Sequence, residues 1–198
     1  MARRSEHSQE EIKTMILDAA EQVVITQGFS ALKARHIAKE IGYTVGSLYM
    51  VYSNMADLVM HIHARTFDEI AVQLQKTPLS AAETTMESLA LVYMNYCAQN
   101  FKRWRYIFDD RLLAGAVIPN WYQRKINQVY APFELQLTQL KPELDALEIN
   151  TTALAFFAGV HGICAISLSP TSDKDNIKQV ETTVLILVKH FMHGLLTK

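Results

Sequence analysis

Glycine and proline are scarce in this 198-residue sequence, with 7 and 5 copies. Loop-rich β folds use many of both in their turns, so their scarcity favours long helices. The sequence also lacks internal repeats and the period-two alternation that indicates strands. Only two cysteines occur, Cys97 and Cys164, and both lie in apolar stretches. Buried reduced thiols are therefore expected, with a redox switch as the open alternative.

The sequence also has no large excess of positive or negative charge. The 19 basic and 20 acidic residues give a net charge of −1, which excludes a protein that coats nucleic acid but allows a locally basic surface. The start of the chain has no apolar core after its arginines, so no secretory signal is expected. The longest apolar run, 153–168, is short for a membrane span and carries His161. We therefore expect a cytoplasmic protein without a membrane partner.

Apolar residues at helical spacing predict an all-α fold of about nine helices. The predicted helices cover about 9–27, 33–41, 44–51, 54–75, 81–100, 103–113, 120–140, 149–168 and 173–196. Capping boxes begin at Ser8 and Ser80, where a side chain at the helix start satisfies free backbone N–H groups. Pro119 is predicted at the first position of the seventh helix, and Pro132 is expected to kink that helix.

The segment 33–52 predicts two short helices, 33–41 and 44–51, joined by a tight turn at Gly42. Thr44 is a good N-cap for the second helix. Two short helices around a glycine turn are typical of the helix-turn-helix motif, whose second helix enters the major groove of DNA. An ordinary helical hairpin within a bundle is the alternative.

The N-terminal third resembles the DNA-binding domain of the TetR family of transcriptional regulators over roughly residues 10–60. The positions that carry the resemblance are Gly28, Phe29, Ser30, Ala31, Arg35, Ile37, Ala38, Gly42, Gly46, Ser47, Leu48, Tyr49, Tyr52 and Leu58. The resemblance implies a DNA-binding domain at 8–54 and a ligand-binding and dimerisation domain at 55–198. Residues 160–162, Val-His-Gly, are similar to the Trp-His-Gly motif of one subtype of the second domain, with valine in place of tryptophan.

The resemblance also implies a homodimer that binds a palindromic operator in double-stranded DNA and, most often as a repressor, releases it when a small molecule binds. The expected DNA-contacting residues are Lys33, Arg35, Thr44, Val45, Gly46, Ser47, Tyr49 and Met50. Arg3 and Arg4 of the N-terminal arm can also meet the DNA backbone. The family often has lysine where Val45 and Met55 stand. Since each phosphate contact strengthens salt-dependent binding, we expect weak non-specific binding that depends on Lys33 and Arg35.

Aromatic and basic residues are dense between positions 101 and 122. An apolar cavity with a few polar groups is what a small-molecule site requires, so an apolar or aromatic effector is expected. The predicted lining residues are Tyr93, Trp104, Phe108, Trp121, Tyr122, Phe156, Phe157 and His161. Aromatic residues at helical spacing also form ordinary cores, and a histidine on an apolar helix is often a hydrogen-bonded core residue.

The last two predicted helices indicate a dimer interface. The eighth helix is apolar on nearly every side, which requires burial all round. The ninth has two apolar rows, of which one can serve the core of the same chain. The first row is Ile177, Val184, Val188, Phe191 and Leu195, and the second is Val180, Leu185, Leu187 and Met192. Gly159 and Gly162 would allow close packing, so we expect a four-helix dimer interface. The core of a monomer is the alternative.

Motifs for catalysis are not found: the sequence has no GxSxG, no HExxH and no phosphate-binding glycine loop. His61 and His63 stand two positions apart, so they do not share a helix face as metal ligands would. We expect no catalytic residue, no metal and no cofactor. A helical interaction module that does not bind DNA is the remaining alternative.

Overall fold

The structure is a computed structural model that describes residues 7–78, 82–108 and 113–197. These residues form nine α-helices and one short 3₁₀ helix, without a strand among them, which confirms the all-α prediction. The helices are α1 (Gln9–Gln27), α2 (Ala34–Glu40), α3 (Val45–Tyr49), α4 (Met55–Gln75), α5 (Ala82–Gln99), α6 (Phe101–Tyr106), α7 (Asn120–Leu140), α8 (Ala146–Ser167) and α9 (Lys174–Leu196). The 3₁₀ helix is Phe29–Ala31.

Side-chain capping accounts for the starts of α1 and α9. The Ser8 side chain accepts from the backbone N–H of Glu11, and the Glu11 side chain accepts from the backbone N–H of Ser8. These two hydrogen bonds complete the predicted capping box of α1. Asp173 caps α9 through the N–H of Asn176. The other predicted box, at Ser80, lies outside the described residues.

Several predicted boundaries differ from the structure. The sixth helix was expected over 103–113, but α6 begins at Phe101 and ends at Tyr106, directly after α5. Pro119 is the N-cap of α7, with extended backbone, rather than its first helical residue. Helix α8 begins at Ala146, three residues before the prediction, because Asp145 and Glu148 form a capping box that the apolar pattern does not reveal.

The chain divides into two compact units. Unit 1 comprises residues 1–66 and 106–118, and unit 2 comprises residues 67–105 and 119–198. The boundary predicted at residues 54 and 55 therefore falls inside unit 1. The first part of α4 belongs to this unit since Leu58 and Ile62 are buried in its core.

The core of unit 1 is formed where α1, α2 and α3 meet α4. Ile16, Ile37, Leu48 and Leu58 are at most 1% exposed. A buried leucine or isoleucine contributes about 1.5–3 kcal/mol relative to an exposed one, so these contacts hold the short α3 in place. Helix α3 has only five residues and would not persist alone.

Unit 2 packs α5, α7, α8 and α9 together through a largely apolar core. Helix α9 contributes Val180, Val184, Val188 and Met192 to this core. The buried row thus takes members from both predicted rows, because four positions at i, i+4, i+8 and i+12 follow one face of the helix.

Helix α8 is not buried on every side within one chain, which corrects the prediction. Leu147 is 74% exposed, Leu154 is 49% exposed and Ile166 is 87% exposed. The chain's own helices cover one face of α8 and leave the opposite face to solvent. Of the helices in the described ranges, α8 is the one long and apolar enough to cross a membrane, which is weak evidence because helices at interfaces have similar composition.

Candidate nucleic-acid interface and buried aromatic cluster

Helices α2 and α3 form the predicted helix-turn-helix. Gly42 makes the turn with φ +75°, a conformation that glycine adopts without strain. Thr44 caps α3, and Leu48 anchors the helix in the core. The opposite face is exposed and presents Tyr49, 46% exposed, and Met50, 71% exposed. Thr44 and Gly46 are exposed as well, so the N-terminal end of α3, which would meet base edges, is open to a ligand as large as DNA.

Two hydroxyl groups stand together at the start of α3. The oxygen of Thr44 accepts from the Ser47 backbone N–H at 3.1 Å and lies 3.0 Å from the Ser47 hydroxyl. One hydroxyl hydrogen joins the two side chains, so the other is available to an outside acceptor. A phosphate oxygen or a base-edge acceptor fits this group. Val45 lies beside the pair, half-exposed, where its methyl groups can touch a thymine methyl.

Gly46 is open toward the same side. A Cβ atom added there would approach Thr44 Oγ1 only to 3.5 Å, an ordinary contact. The packing of this chain therefore does not require glycine at position 46. Because glycine has no side chain, it would let another backbone, such as that of DNA, approach closely at this position.

The basic residues of this surface lie on and before α2. Lys33, Arg35 and Lys39 are exposed, whereas α3 itself contains no lysine or arginine. Lys33 is the N-cap of α2 and makes no side-chain capping bond, so its ammonium group is not committed to the helix end. Arg3 and Arg4, also expected to meet DNA, lie outside the described residues.

Helix α4 fixes α1 behind this surface through contacts that the sequence did not reveal. Arg65 Nη1 donates to Asp18 Oδ1 at 2.5 Å and to Glu21 Oε2 at 3.0 Å. The Tyr52 hydroxyl donates to the Lys13 carbonyl at 3.0 Å. These residues are separated by 39 to 47 positions, so no local pattern could pair them.

In unit 2, four predicted pocket residues come together. Trp104 Nε1 donates to the Tyr93 hydroxyl at 2.9 Å, and that hydroxyl lies 2.9 Å from His161 Nδ1. Phe157 stacks on the His161 ring, with 6.1 Å between the centroids and 11° between the planes. Burial lowers the pKa of His161, which favours a neutral imidazole. The Tyr93 hydroxyl therefore joins the indole of Trp104 to the imidazole of His161.

The other four predicted pocket residues lie elsewhere. Phe156 packs between Phe133 and Phe191, with centroids 5.7 and 5.0 Å away. Tyr122 contacts Trp121 and Phe67 at 5.7 Å each. Phe108 is 46% exposed and belongs to unit 1.

Two grooves of unit 2 are formed by residues outside the predicted set. One, of about 500 Å³, lies between α4 and α5, and its lining includes Asp68, Glu69 and Tyr96. The other, of about 610 Å³, lies near the end of α9 and includes His190 and His193. Neither groove is lined by any of the eight residues that the sequence predicts for the effector site.

Cys97 and Cys164 are both buried and meet inside unit 2, although 67 positions separate them in the sequence. Burial raises the pKa of the Cys97 thiol and keeps it protonated. Since thiolates and not thiols are the reactive species, Cys97 behaves as a packing group. No group of three or more metal-ligating side chains occurs within residues 7–78, 82–108 and 113–197.

Comparison with known proteins identifies the N-terminal domain. Residues 16–62 match the family model described as bacterial regulatory proteins, tetR family. The N-terminal domain of this chain is therefore similar to the DNA-binding domain of the TetR family. The match covers most of α1, the whole helix-turn-helix and the start of α4, which is the surface described above. The chain is a DNA-binding transcriptional regulator, and the TetR family is regulatory rather than enzymatic.

Solved structures extend the similarity of this chain to the fold of both units. A Rhodococcus sp. RHA1 protein of unknown function is 16% identical, with 98% of this chain and 100% of that one covered and a TM-score of 0.72. PfmR of Thermus thermophilus, a TetR family transcriptional regulator, is 10% identical, with coverages of 88% and 97% and a TM-score of 0.63.

FadR of Bacillus subtilis, solved with stearoyl-CoA, is 16% identical, with coverages of 88% and 96% and a TM-score of 0.64. At these identities the similarity shows the fold. The search of curated proteins finds no match for the sequence.

Proposed function

We propose that this regulator is a homodimeric repressor that leaves a palindromic operator when a small apolar or aromatic molecule binds in unit 2. The observation that carries the proposal is the exposed, capped N-terminus of α3 with Thr44, Gly46, Ser47 and Tyr49 on one open face. Base edges are read by Thr44, Val45 and Ser47, and phosphates are bound by Lys33, Arg35 and Tyr49. Met50 contributes an apolar contact at the other end of α3.

Selection of bound duplexes from a random DNA pool tests the DNA part. A palindrome with half-sites whose centres lie about 34–36 Å apart is expected, because each protomer presents one reading helix to successive turns of the major groove. A single unrepeated site or no enriched sequence contradicts the proposal. The same duplex then serves for all measurements of operator affinity.

The exposed face of α8 supports the dimer. Leu154, Ile166 and the neighbouring Ile186 of α9 are 49%, 87% and 54% exposed in one chain. Gly159 already serves close packing inside the chain, since an added Cβ would lie 2.9 Å from Leu187 Cδ2. A Cβ on Gly162 would meet nothing within 4 Å, which leaves room for the helix of a second copy. A two-fold interface of these helices covers apolar surface that one chain leaves in water.

The aromatic cluster supports the effector site. Tyr93 and Trp104 are each 1% exposed, and His161 is half-buried, so the cluster combines an apolar wall with a hydrogen-bonding edge. A ligand that inserts beside Phe157 would compete for the Tyr93–His161 hydrogen bond. FadR, which has the same fold, was solved with stearoyl-CoA, so a ligand with a long apolar chain suits a helical domain of this kind.

Tryptophan fluorescence tests this site. Compounds that release the protein from the selected operator should change the emission of Trp104, and Tyr93→Phe should weaken their effect. Trp121→Phe leaves Trp104 as the remaining tryptophan and removes the ambiguity of the signal, since the chain has two. Release from DNA without any change in Trp104 emission contradicts the placement of the effector.

In this proposal, helices α4 and α6 couple the binding of the effector to the release of the operator. Helix α4 contributes residues 55–66 to unit 1 and residues 67–75 to unit 2. Helix α6 carries Trp104 in unit 2 and Tyr106 in unit 1, and the Tyr106 ring meets Phe29 edge-on at 5.3 Å. A ligand that displaces Trp104 would move Tyr106 and change the support of the helix-turn-helix. A coupling of about 1–3 kcal/mol is ordinary, and equal operator affinity with and without saturating ligand would exclude it.

A further inference from the structure

Helix α3 and the residues on either side of it lack the side chains that distinguish bases by paired hydrogen bonds. From Gly42 to Ser53 the sequence contains no arginine, lysine, histidine, asparagine, glutamine, aspartate or glutamate. Arginine and lysine select guanine, asparagine and glutamine select adenine, and acidic side chains select cytosine, whereas serine and threonine accept several partners. The hydroxyls of Thr44 and Ser47 can therefore hold α3 in the groove, but they leave most of the choice of base to other groups.

The tyrosines of this segment do not supply that choice either. The Tyr43 hydroxyl lies 2.7 Å from His7 Nδ1, and the Tyr52 hydroxyl donates to the Lys13 carbonyl. Tyr49 is exposed and is proposed to bind phosphate. A tyrosine hydroxyl both donates and accepts, so it fits acceptors and donors on base edges alike. The groups that remain for base selection are apolar.

Met50 lies at the centre of the exposed face of α3. Leu48 is 1% exposed and points into the core, and Gly46 and Met50 stand two positions before and after it, about 200° around the helix in each direction. The Met50 side chain is 71% exposed, although its backbone is fixed: its N–H donates to the Gly46 carbonyl at 3.0 Å and its dihedral angles continue the helix. Since Gly46 has no side chain, this face can approach a groove closely, and Met50 stands one turn further along it.

Thymine is the one unmodified base that presents a methyl group in the major groove. An apolar side chain recognises that methyl group without any hydrogen bond, and the flexible, polarizable thioether of methionine adapts well to such a contact. Val45, which is partly exposed at the start of α3, offers a second apolar group. Contact with C5-methyl groups is therefore the selective interaction that this helix is able to make.

We propose that Met50 is a specificity-determining residue that reads the C5-methyl group of a pyrimidine in each operator half-site, and that Val45 reads a second one. In unmodified DNA that pyrimidine is thymine. The same methyl group occurs on 5-methylcytosine, so a methylated C·G pair fulfils part of the requirement that an unmethylated one fails. The inference rests on the proposed operator binding, because it names the groups that are read within the same half-site.

Uracil substitution in the selected operator tests the methyl contacts, because deoxyuridine lacks only the methyl group of thymidine. Each thymine is replaced in turn, in both half-sites at once. Two positions should lose affinity about 16-fold, which corresponds to about fourfold for one buried methyl group in each half-site. Met50→Ala should reduce the thymine-to-uracil affinity ratio to about twofold or less at one of these positions, and Val45→Ala should do so at the other.

Two further variants serve as matched controls. Met50→Leu keeps an apolar side chain of similar size, so it should retain the preference for thymine over uracil. Tyr49→Phe changes the neighbouring exposed residue and removes a proposed phosphate contact, so it should weaken binding to thymine and uracil duplexes by the same factor. Because each result is a ratio of two affinities of one variant, a reduced fraction of folded protein does not alter it.

Cytosine and 5-methylcytosine at the position assigned to Met50 separate the methyl group from the hydrogen-bonding groups of thymine. The wild-type chain should bind the 5-methylcytosine duplex about 16-fold more tightly than the cytosine duplex, whereas Met50→Ala should bind the two alike. An operator in which no thymine is sensitive to uracil, or a thymine-to-uracil ratio that Met50→Ala leaves unchanged, overturns the inference. Failure of the wild-type chain to bind any selected duplex would instead refute the proposed operator binding.

Discussion

The surface proposed to face DNA, here called the DNA-facing surface, and the aromatic cluster are built in opposite ways. The surface comes from one continuous segment, with its residues between Lys33 and Met50. The cluster takes Tyr93 from α5, Trp104 from α6 and both Phe157 and His161 from α8, so 68 positions separate its ends. The surface exposes its polar groups, whereas the cluster buries them and satisfies them internally.

This difference explains why the two sites follow different physical rules. An exposed helix end is satisfied by its own neighbours or by water, and its chemistry is then decided by residues within one turn. A buried polar group must find a partner or lose stability, and that partner is supplied by packing. Surface substitutions should therefore change affinity with little change in stability, and cluster substitutions should change both.

The largest effect is expected at the exposed face of α8. Ile166→Glu places a charge where two apolar helices would meet, so it should convert the dimer to a monomer and weaken operator binding about 100-fold or more, because linked half-site binding is lost. Sedimentation and operator titration measure the two outcomes. Val72→Glu, a similar substitution at the 46% exposed Val72 of α4, is the control and should leave the dimer intact. A monomeric wild type would contradict the dimer.

Loss of cations from the DNA-facing surface should have the next largest effect. Lys33→Ala/Arg35→Ala removes two exposed charges, so the slope of log affinity against log salt should fall by about two per protomer. Affinity should fall for operator and random-sequence duplexes alike, as phosphate contacts carry little sequence information. Lys178→Ala, at an exposed position of α9, provides a control for net charge. A steep slope that survives the double substitution would assign the phosphate contacts to other residues.

Two glycines of the helix-turn-helix allow a finer comparison of affinity and stability. Gly46→Ala should maintain or raise stability, by up to about 1 kcal/mol, because alanine favours the helix and meets only an ordinary contact. It should nevertheless weaken operator binding about tenfold, or about 1.4 kcal/mol, if DNA approaches the backbone there. Gly42→Ala should instead destabilise the fold by about 1 kcal/mol, since φ is +75°. Chemical denaturation measures the change in stability, and operator titration measures the change in affinity. Unchanged DNA binding by Gly46→Ala would exclude the close approach.

The smallest effect concerns the pH dependence of unit 2. Burial lowers the folded-state pKa of His161 below its ordinary value near 6.5, so the unfolded state binds the proton more readily. The contribution of His161 to the free energy of unfolding is therefore complete above about pH 6.5 and is lost as pH falls through the lower folded-state pKa. Denaturation at pH 7.5 and pH 5 should show this loss, and His161→Gln should reduce it. An identical pH dependence in the variant would show that other groups titrate.

Features that depend on interactions between neighbouring residues, such as helix starts and turns, were predicted from the sequence. The capping box at Ser8, the glycine turn at Gly42 and the N-cap at Thr44 fixed the helix starts and the reading helix from residues within four positions. The resemblance to the TetR family rests on the same short-range spacing and was confirmed by the family match. The break between α5 and α6 was predicted within two residues of its place, but the end of α6 at Tyr106 was missed, because apolar residues continue to Leu113.

The sequence by itself therefore determined the all-α class, the helix-turn-helix and the exposed residues proposed to face DNA, since a capped amphipathic helix specifies both its ends and its exposed side. Only the tertiary structure decided which aromatic residues meet, that Tyr93 links Trp104 to His161, and which face of α8 stays uncovered. It also decided that Gly159 packs inside the chain while Gly162 is open. Contacts between distant segments depend on how whole helices pack, and helical periodicity gives the face of a helix but not its neighbour.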